Sequence, residues 1–441
     1  VAWTLLNTDS RKPRKIAGYD VEIELKYGDG RKLIRIPDRA DVTLLKPAEL
    51  PVVGSIADAL EKALSDPLGC ESFGQMLRRA QPASIAIAVP DETRPFPLEP
   101  ILPVILEKIR EALPALNTSA ITIVIGGGLH PPLDDRGRER VVPGAIASGC
   151  RVIAHDALHN PMVDYGLSAR KTPVRINADF AGADFKIVIG QIDPHQFVGF
   201  TGGAKGVVIG CAAWDTIEHN HSLMFHEGAR VGRIAGNPVR EDLNEAGEMV
   251  GIQLALNVVL NAEKNIVQIL AGQPLAVLQK GAATCSALYG VGIGEKFDIV
   301  IASCGGHPKD ICLYQAQKGL NLASQALRPG GHILLLAASP QGVGDDIYFD
   351  YVSRFTTPQE VLSDFQKTGF KMGAHKAYLF GRTLVDFDVA VFSDIDPGIL
   401  SKCQLRAADP TVIVGEWVHA SKDRPRIAVV PNANTTYFYH V

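Results

Sequence analysis

A histidine, a lysine and a second histidine share one glycine-rich region: His195 in Asp193-Pro194-His195-Gln196-Phe197, Lys205 in Gly202-Gly203-Ala204-Lys205-Gly206, then His221. Each supplies a different chemistry. Glycines let backbone amides approach an anion, an amine can attach covalently to a cofactor, and imidazoles bind metal or move protons near neutrality. The loop is not a P-loop, because Gly206 stands where the magnesium-holding hydroxyl residue would follow Lys205.

Three other segments add candidate groups. Asp91-Glu92-Thr93-Arg94-Pro95 offers a guanidinium fork for a carboxylate or phosphate, with Asp91 placed to orient it or to bind a hydroxyl. A plain Asp91/Arg94 salt bridge is the competing role. Gly126-Gly127-Gly128-Leu129-His130 ends on a histidine suited to exchanging a substrate proton. Gln315 and Lys318 lie three apart, so on a helix they share a face that is either solvated or turned to a ligand.

The elements that must hold these groups are legible as β-rich apolar runs at 85–89, 121–125, 185–189, 299–302, 333–336 and 389–392, separated by helical stretches. Such spacing argues for parallel α/β layers. The Asp91, His130 and His195 segments each follow one of these runs, and in open parallel sheets ligands lie beyond the carboxyl ends of strands. Residues 21–37 alternate about Tyr27-Gly28-Asp29-Gly30 and read as an N-terminal hairpin. Asn237 and Pro238 start a helix that Arg240-Glu241-Asp242-Leu243-Asn244-Glu245 continues with the charge and length of an amphipathic helix. A second helix over about 272–288 ends before Gly290-Val291-Gly292-Ile293-Gly294, which reads as a hinge. The expected fold is α/β, with two α/β domains of mostly parallel sheets, over 1–288 and 289–441, an N-terminal β-hairpin, and the active site in the cleft between them.

Composition excludes several classes. The chain has 441 residues, 46% hydrophobic and 21% charged, with a net charge of -4, which describes a globular enzyme without the basic field that nucleic acid or an anionic membrane requires. No apolar run is long enough to span a bilayer, and Val1-Ala2-Trp3-Thr4 has no basic or apolar leader character, so a cytoplasmic location is expected. The 7 cysteines are scattered and never form a C-x-x-C pair, so buried thiols are expected in place of disulfides or a zinc ribbon.

Taken together, Asp91-x-Thr93-Arg94-Pro95, Gly128-x-His130, His195 with Gly202-Gly203-x-Lys205, His221, Gly236-Asn237-Pro238-Val239-Arg240-Glu241-Asp242 and Tyr314-Gln315-x-x-Lys318 resemble the nickel-pincer lactate racemase family. The resemblance implies nickel held by a pyridinium-3,5-bisthiocarboxylic acid mononucleotide, attached covalently to Lys205, with His221 as the protein's metal ligand. It implies that His130 and His195 alternate as acid and base while C2 of a 2-hydroxy acid gives up and regains hydride. Arg94, Gln315 and Lys318 would hold the substrate, and Asp91, Thr93, Gly202, Gly203 and Tyr378 would line the cofactor. Enzymes that build the cofactor are the implied partners, and the oligomeric state stays open. One departure concerns substrate: Pro131-Pro132 follows His130 where the family pattern would place a basic residue.

Other classes compete. Leu327-Arg328-Pro329-Gly330-Gly331-His332 is similar to a methyltransferase strand entry, but no G-x-G-x-G loop supports it. A metal-dependent hydrolase would use His219, His221 and His226, whose spacings do not share a helical face. A non-catalytic carrier or sensor of the pincer nucleotide would keep Lys205 and His221 but would not need both His130 and His195.

Overall fold

The computed structural model describes residues 2–5, 14–16, 21–94, 96–147 and 149–441. Pro95 of the Asp91 motif and Val1 lie outside the described residues. The chain divides into two compact units, Glu49–Leu288 and a second formed by Val1–Ala48 with Tyr289–Val441.

The Glu49–Leu288 unit is built on a six-stranded sheet in the order Ile266–Gly272, Leu254–Leu260, Phe185–Gln191, Ile85–Pro90, Ile121–Gly126, Arg151–Ala154. All neighbours are parallel except the Leu254–Leu260 and Ile266–Gly272 pair. Strands of this kind are buried on both faces, which is why their sequences are near-continuous apolar runs. Ile85, Ile87, Ile123, Ile187 and Leu256 join one core with Phe73, Ile105 and Ile109 from the covering helices. After Ile85–Pro90 the sheet grows one way, and from Phe185–Gln191 it grows the other. The point where a parallel sheet reverses its order opens a crevice beyond the strand ends.

The other unit repeats that plan. Its strands run Arg406–Ala407, Asp388–Phe392, Leu327–Leu336, Phe297–Ser303, Arg426–Val430, Asp41–Leu44, and every pairing is parallel. The hairpin of Val21–Tyr27 with Gly30–Ile36 forms as the alternation requires. It does not belong with residues 49–288, however, and this corrects the expected 1–288 domain. Asp41–Leu44 adds to Arg426–Val430 as an edge strand, and the buried hairpin face of Ile23, Leu25, Ile34 and Ile36 joins Ile299, Leu334, Trp417 and Ile427 in one core. The Gly290–Ile293 stretch, read as a hinge, is a strand paired with Tyr437–His440. Both differences come from pairings with the distant C-terminal end, which no local pattern reveals.

Among the described residues no helix is long and apolar enough to cross a membrane. The seven cysteines are free thiols.

Candidate active site

The Asp91, His130, His195 and Lys205 segments all leave the carboxyl ends of the central strands of the Glu49–Leu288 unit. Asp91 follows Ile85–Pro90 and is 6% exposed. Its two oxygens are both engaged: Oδ2 meets His130 Nδ1 at 2.6 Å, and Oδ1 accepts from Thr93 Oγ1 at 2.7 Å. Burial pushes the Asp91 carboxyl up, but the bonds from His130 and Thr93 and the charges of His130 and Arg94 outweigh it, so the group lies below the ordinary carboxylate value. An ionised carboxylate fixes the proton of a neutral His130 on Nδ1 and leaves the Nε2 lone pair to act as a base. The Asp91/Arg94 pairing read as an alternative is thus replaced by an Asp91–His130 pair, and Arg94 stays exposed.

Glycine contact sets the position of His130. A Cβ on Gly126 would lie 3.1 Å from the Gly210 backbone and 3.2 Å from Gly206 O, and one on Gly128 would lie 3.0 Å from Ile209 O. The Gly128 N–H also donates to Gly210 O at 3.0 Å. Backbone therefore packs directly on backbone between the His130 loop and the short helix Lys205–Val208.

His195 sits in a two-residue ribbon paired with Gly199–Phe200. Its Nδ1 accepts from the Val198 N–H at 3.3 Å, which in the neutral ring places the proton on Nε2. The two histidines are therefore set in opposite tautomers, one presenting a lone pair and the other a proton. The His195 ring meets Phe197 edge-on at 4.7 Å, and Phe197 meets His221 edge-on at 5.1 Å.

The glycine loop behaves differently from its reading as an open anion cradle. Amides of Thr201, Gly203 and Lys205 donate to Asp193 O, Asn257 Oδ1 and Gly202 O. Space beside Gly202, at φ +84°, is filled by Ile192 and Asn257. These glycines shape the turn that presents Lys205, whose amine is pushed down to about 7, first by burial and then by the charges of Arg94 and Arg240, against Asp91. A lysine in that range is partly neutral and nucleophilic at physiological pH.

The Gly236–Asp242 motif supports the loop and His221 from below. Asn237 caps the helix Pro238–Val250 and donates to Phe197 O at 2.9 Å. Arg240 is fully buried and donates to Phe200 O, to Val198 O at 3.3 Å and to Gly202 O at 3.3 Å. Asp242, also fully buried, accepts from Ser168, from Thr172 at 2.8 Å and from Asn220 Nδ2 at 2.8 Å. Because the Asn220 amide nitrogen is committed to Asp242, its Oδ1 faces His221 Nδ1 at 3.2 Å as an acceptor. In the neutral ring that places the proton on Nδ1 and the lone pair on Nε2. Burial, then the charge of Lys205, pushes the His221 imidazole down to about 3, so it is neutral. The amphipathic helix expected from Arg240 to Glu245 forms within Pro238–Val250, with Arg240 and Asp242 on its buried side.

The other histidines of the region are committed to structure. His219 Nδ1 bonds Thr172 Oγ1 at 2.9 Å, and His226 Nδ1 accepts from the Gly228 N–H at 2.9 Å. Among the described residues no group of three or more His, Cys, Asp or Glu could hold a metal ion. Gln315 and Lys318 lie on Leu313–Ala323 of the other unit, with Gln315 exposed and Lys318 half-buried. Tyr378, expected to line the cofactor, is 5% exposed and stacks on Phe365 at 5.4 Å, a packing position.

Sequence reasoning missed Arg240, Asn220, Asp242 and Asn257 as parts of the site. The signal was present for Arg240 and Asp242, charged residues beside a cap in a motif already singled out.

Comparisons with known proteins give the family. Residues 27–232 match the model of the lactate racemase N-terminal domain, and residues 294–433 that of the lactate racemase C-terminal domain. The lactate racemase of Thermoanaerobacterium thermosaccharolyticum is 27% identical over 380 residues, 84% of this chain and 88% of that protein. The lactate racemase of Lactiplantibacillus plantarum is 28% identical over 383 residues, 85% of this chain and 89% of that one. The structure of the T. thermosaccharolyticum lactate racemase apoprotein superposes with a TM-score of 0.84 at 26% identity, covering 95% of this chain and 100% of that one. A Thermotoga maritima protein shares the fold, with a TM-score of 0.57 at 18% identity over 84% of this chain and 98% of that one. The chain belongs to the lactate racemase family and is an isomerase.

Proposed function

We propose that this isomerase is a nickel-pincer-nucleotide-dependent racemase or epimerase that inverts C2 of a 2-hydroxy acid. The observation that carries the reading is the pair of opposed tautomers: His130 backed by Asp91 at 2.6 Å, and His195 accepting the Val198 N–H at 3.3 Å. Two-sided inversion needs a lone pair on one side, which His130 offers, and a protonated imidazole on the other, the form in which His195 gives a proton, since the hydroxyl lies on a different side in each enantiomer.

The residues present fit the cofactor. Lys205 is partly neutral, His221 is a buried neutral imidazole with its Nδ1 held by Asn220, and buried Gln191 Oε1 at the end of its strand and Gln196 Oε1 beside His195 have no hydrogen-bond partner among the described residues. An amine for attachment, one nitrogen donor and unmet polar atoms are the features such a group would use. When bound, the nickel-pincer nucleotide supplies an acceptor and donor of hydride, which avoids a carbanion at a very weakly acidic carbon. His130 Nε2 takes the hydroxyl proton of one enantiomer, protonated His195 gives a proton to the oxygen of the other, and in the reverse direction the two exchange roles. Arg94 holds the carboxylate through its planar fork. Gln315 and Lys318 retain the substrate-holding part that the family resemblance gives them. Asp91 and Thr93 act through His130, and Gly202 and Gly203 act by shaping the Lys205 turn. Nickel, cofactor-building enzymes as partners and a cytoplasmic location belong to the same reading.

The hydrolase alternative finds no support, since among the described residues no group of three or more His, Cys, Asp or Glu could hold a metal ion. A carrier has no use for the Asp91–His130 pair.

The test is inversion of lactate, malate and gluconate by nickel-loaded protein in deuterated water. Retained protium at C2, with a primary isotope effect on C2-deuterated substrate, is the expected result. Deuterium entering C2 at the rate of inversion would contradict hydride transfer, and no inversion of any acid would leave the carrier.

A further inference from the structure

Three segments of the Glu49–Leu288 unit meet at the fully buried Asp242 carboxylate. Ser168 and Thr172 come from the turn between Met162–Leu167 and Pro173–Asn177, Asn220 from the helix Trp214–Ser222, and Asp242 itself from Pro238–Val250. Asp242 accepts at Oδ1 from Ser168 Oγ, and at Oδ2 from Thr172 Oγ1 and Asn220 Nδ2, both at 2.8 Å. Ser168 Oγ in turn accepts from the Thr172 N–H at 3.1 Å. A carboxylate only accepts, so the donors of this network all point toward one residue. Asn220 is held twice, because its Nδ2 also donates to Val239 O at 3.1 Å. Turning that amide round would set its oxygen against two buried acceptors and leave both without a donor.

We propose that Asp242 and Asn220 are positioning residues for the metal: they fix His221 in its Nδ1–H form before any cofactor arrives, so that nickel meets a ready Nε2 lone pair and is retained. The nickel part of this rests on the proposed function above. A neutral imidazole has two tautomers, and only the one with a bare Nε2 binds a metal through that atom. Asn220 Oδ1 faces His221 Nδ1 at 3.2 Å and can only accept there, which selects that tautomer. Metal-binding histidines commonly give their other ring N–H to a carboxylate or a carbonyl. Here an amide oxygen does so, and the carboxylate stands one residue further back, setting which way the amide points.

The experiment reads the tautomer and the metal separately. In cofactor-free protein with histidine rings labelled in heavy nitrogen, the NMR signals of His221, assigned by their absence in His221→Gln, should show the proton on Nδ1. Asn220→Leu should give a mixture or the Nε2–H form. In protein produced with nickel and the cofactor-building enzymes, Asn220→Leu should lose nickel to a chelator about 10 to 100-fold faster, the span for removing a group that orients a metal-binding histidine, while the nucleotide mass on the Lys205 peptide stays. Ser168→Ala is the control. It removes one donor to Asp242 but keeps both acceptors of Asn220 Nδ2, so it should lower stability and leave the tautomer and the nickel loss as they were. An Nε2–H ring in the unaltered cofactor-free protein, or nickel loss in Asn220→Leu that is unchanged or matched by Ser168→Ala, would overturn the positioning role. Should Asn220→Leu fail to fold, the spectra of the unaltered protein decide. No nickel in the unaltered protein made with the cofactor-building enzymes would sink the proposed function and leave the tautomer to be read from the cofactor-free spectra; an Nε2–H ring in a protein that holds nickel firmly would do the reverse.

Discussion

Both units are built on mostly parallel sheets whose strand order reverses at one point, and we read only one of the two resulting edges as furnished for chemistry. In the Glu49–Leu288 unit the reversal lies between Ile85–Pro90 and Phe185–Gln191, and beyond it stand Asp91, His195 and the Lys205 loop. In the other unit it lies between Phe297–Ser303 and Arg426–Val430, followed by Gly305-Gly306-His307. There the protein fills the space with its own hairpin turn. The Gly28 N–H donates to Asp310 Oδ2 at 2.8 Å, the His307 N–H to Gly28 O at 2.9 Å, Ser303 Oγ to Lys26 O at 2.5 Å, and Tyr27 Oη to Asp394 Oδ1 at 2.6 Å. A glycine-rich strand end with a histidine is therefore no site in itself, and topology names the place without deciding what occupies it.

The comparison breaks most readily at its histidines. Replacing His130 or His195 by Ala should lower turnover by about 10² to 10⁴-fold, the span for losing one general acid or base. His307→Ala, at the corresponding position of the plugged edge, should leave turnover within about twofold, as for a surface change away from the chemistry. Steady-state inversion rates on all three variants check both halves, and a loss in His307→Ala comparable to that in His130→Ala would erase the distinction.

Asp91→Asn sharpens the account of the reactive edge. A partner that only orients a histidine should cost about 10 to 100-fold in turnover when its charge is removed. The loss should fall on kcat more than on KM, because Asp91 bonds His130 and Thr93. A pure KM effect would return Asp91 to cofactor or substrate binding.

At the filled edge the expected effect is on stability. Asp310→Ala removes the acceptor of the Gly28 and Ala338 N–H groups and should cost about 1–3 kcal/mol in urea unfolding. An unchanged midpoint would mean that the turn is not held there.

A further effect on stability concerns Lys205 in the apoprotein. Its pKa is depressed to about 7 in the fold, against an ordinary value of about 10.4 in the unfolded chain. Between these values the unfolded chain binds more protons, so this lysine makes stability rise as pH goes from about 7 to about 10. Lys205→Met should stabilise the apoprotein at pH 7 and lose that advantage as pH rises. Parallel melting curves for variant and wild type across this range would place the lysine in solvent.

Much of the reactive edge could be read from sequence because its parts are local. The strands at 85–89, 121–125 and 185–189 are continuous apolar runs, the Asn237 cap is set by adjacent residues, and each candidate group directly follows a strand. What stayed hidden depends on distance along the chain. Asp91 and His130 are joined across two strands, Asp242 reaches His221 only through Asn220, and Arg240 looks like a surface charge until the Val198–Gly202 carbonyls close around it. The hairpin joins the C-terminal unit through Asp41–Leu44 and Arg426–Val430, partners at opposite ends of the sequence. The glycines misled for the same reason, since the atoms filling the space beside them come from other segments.

The central claim is that the edge carrying Lys205 holds the cofactor, and peptide mapping with metal analysis tests it most directly. Protein produced with nickel and the cofactor-building enzymes should contain nickel and carry the added nucleotide mass on the peptide containing Lys205, with neither found when those enzymes are left out. An adduct on any other peptide, or nickel-dependent inversion by a Lys205→Met protein with no adduct at all, would contradict it.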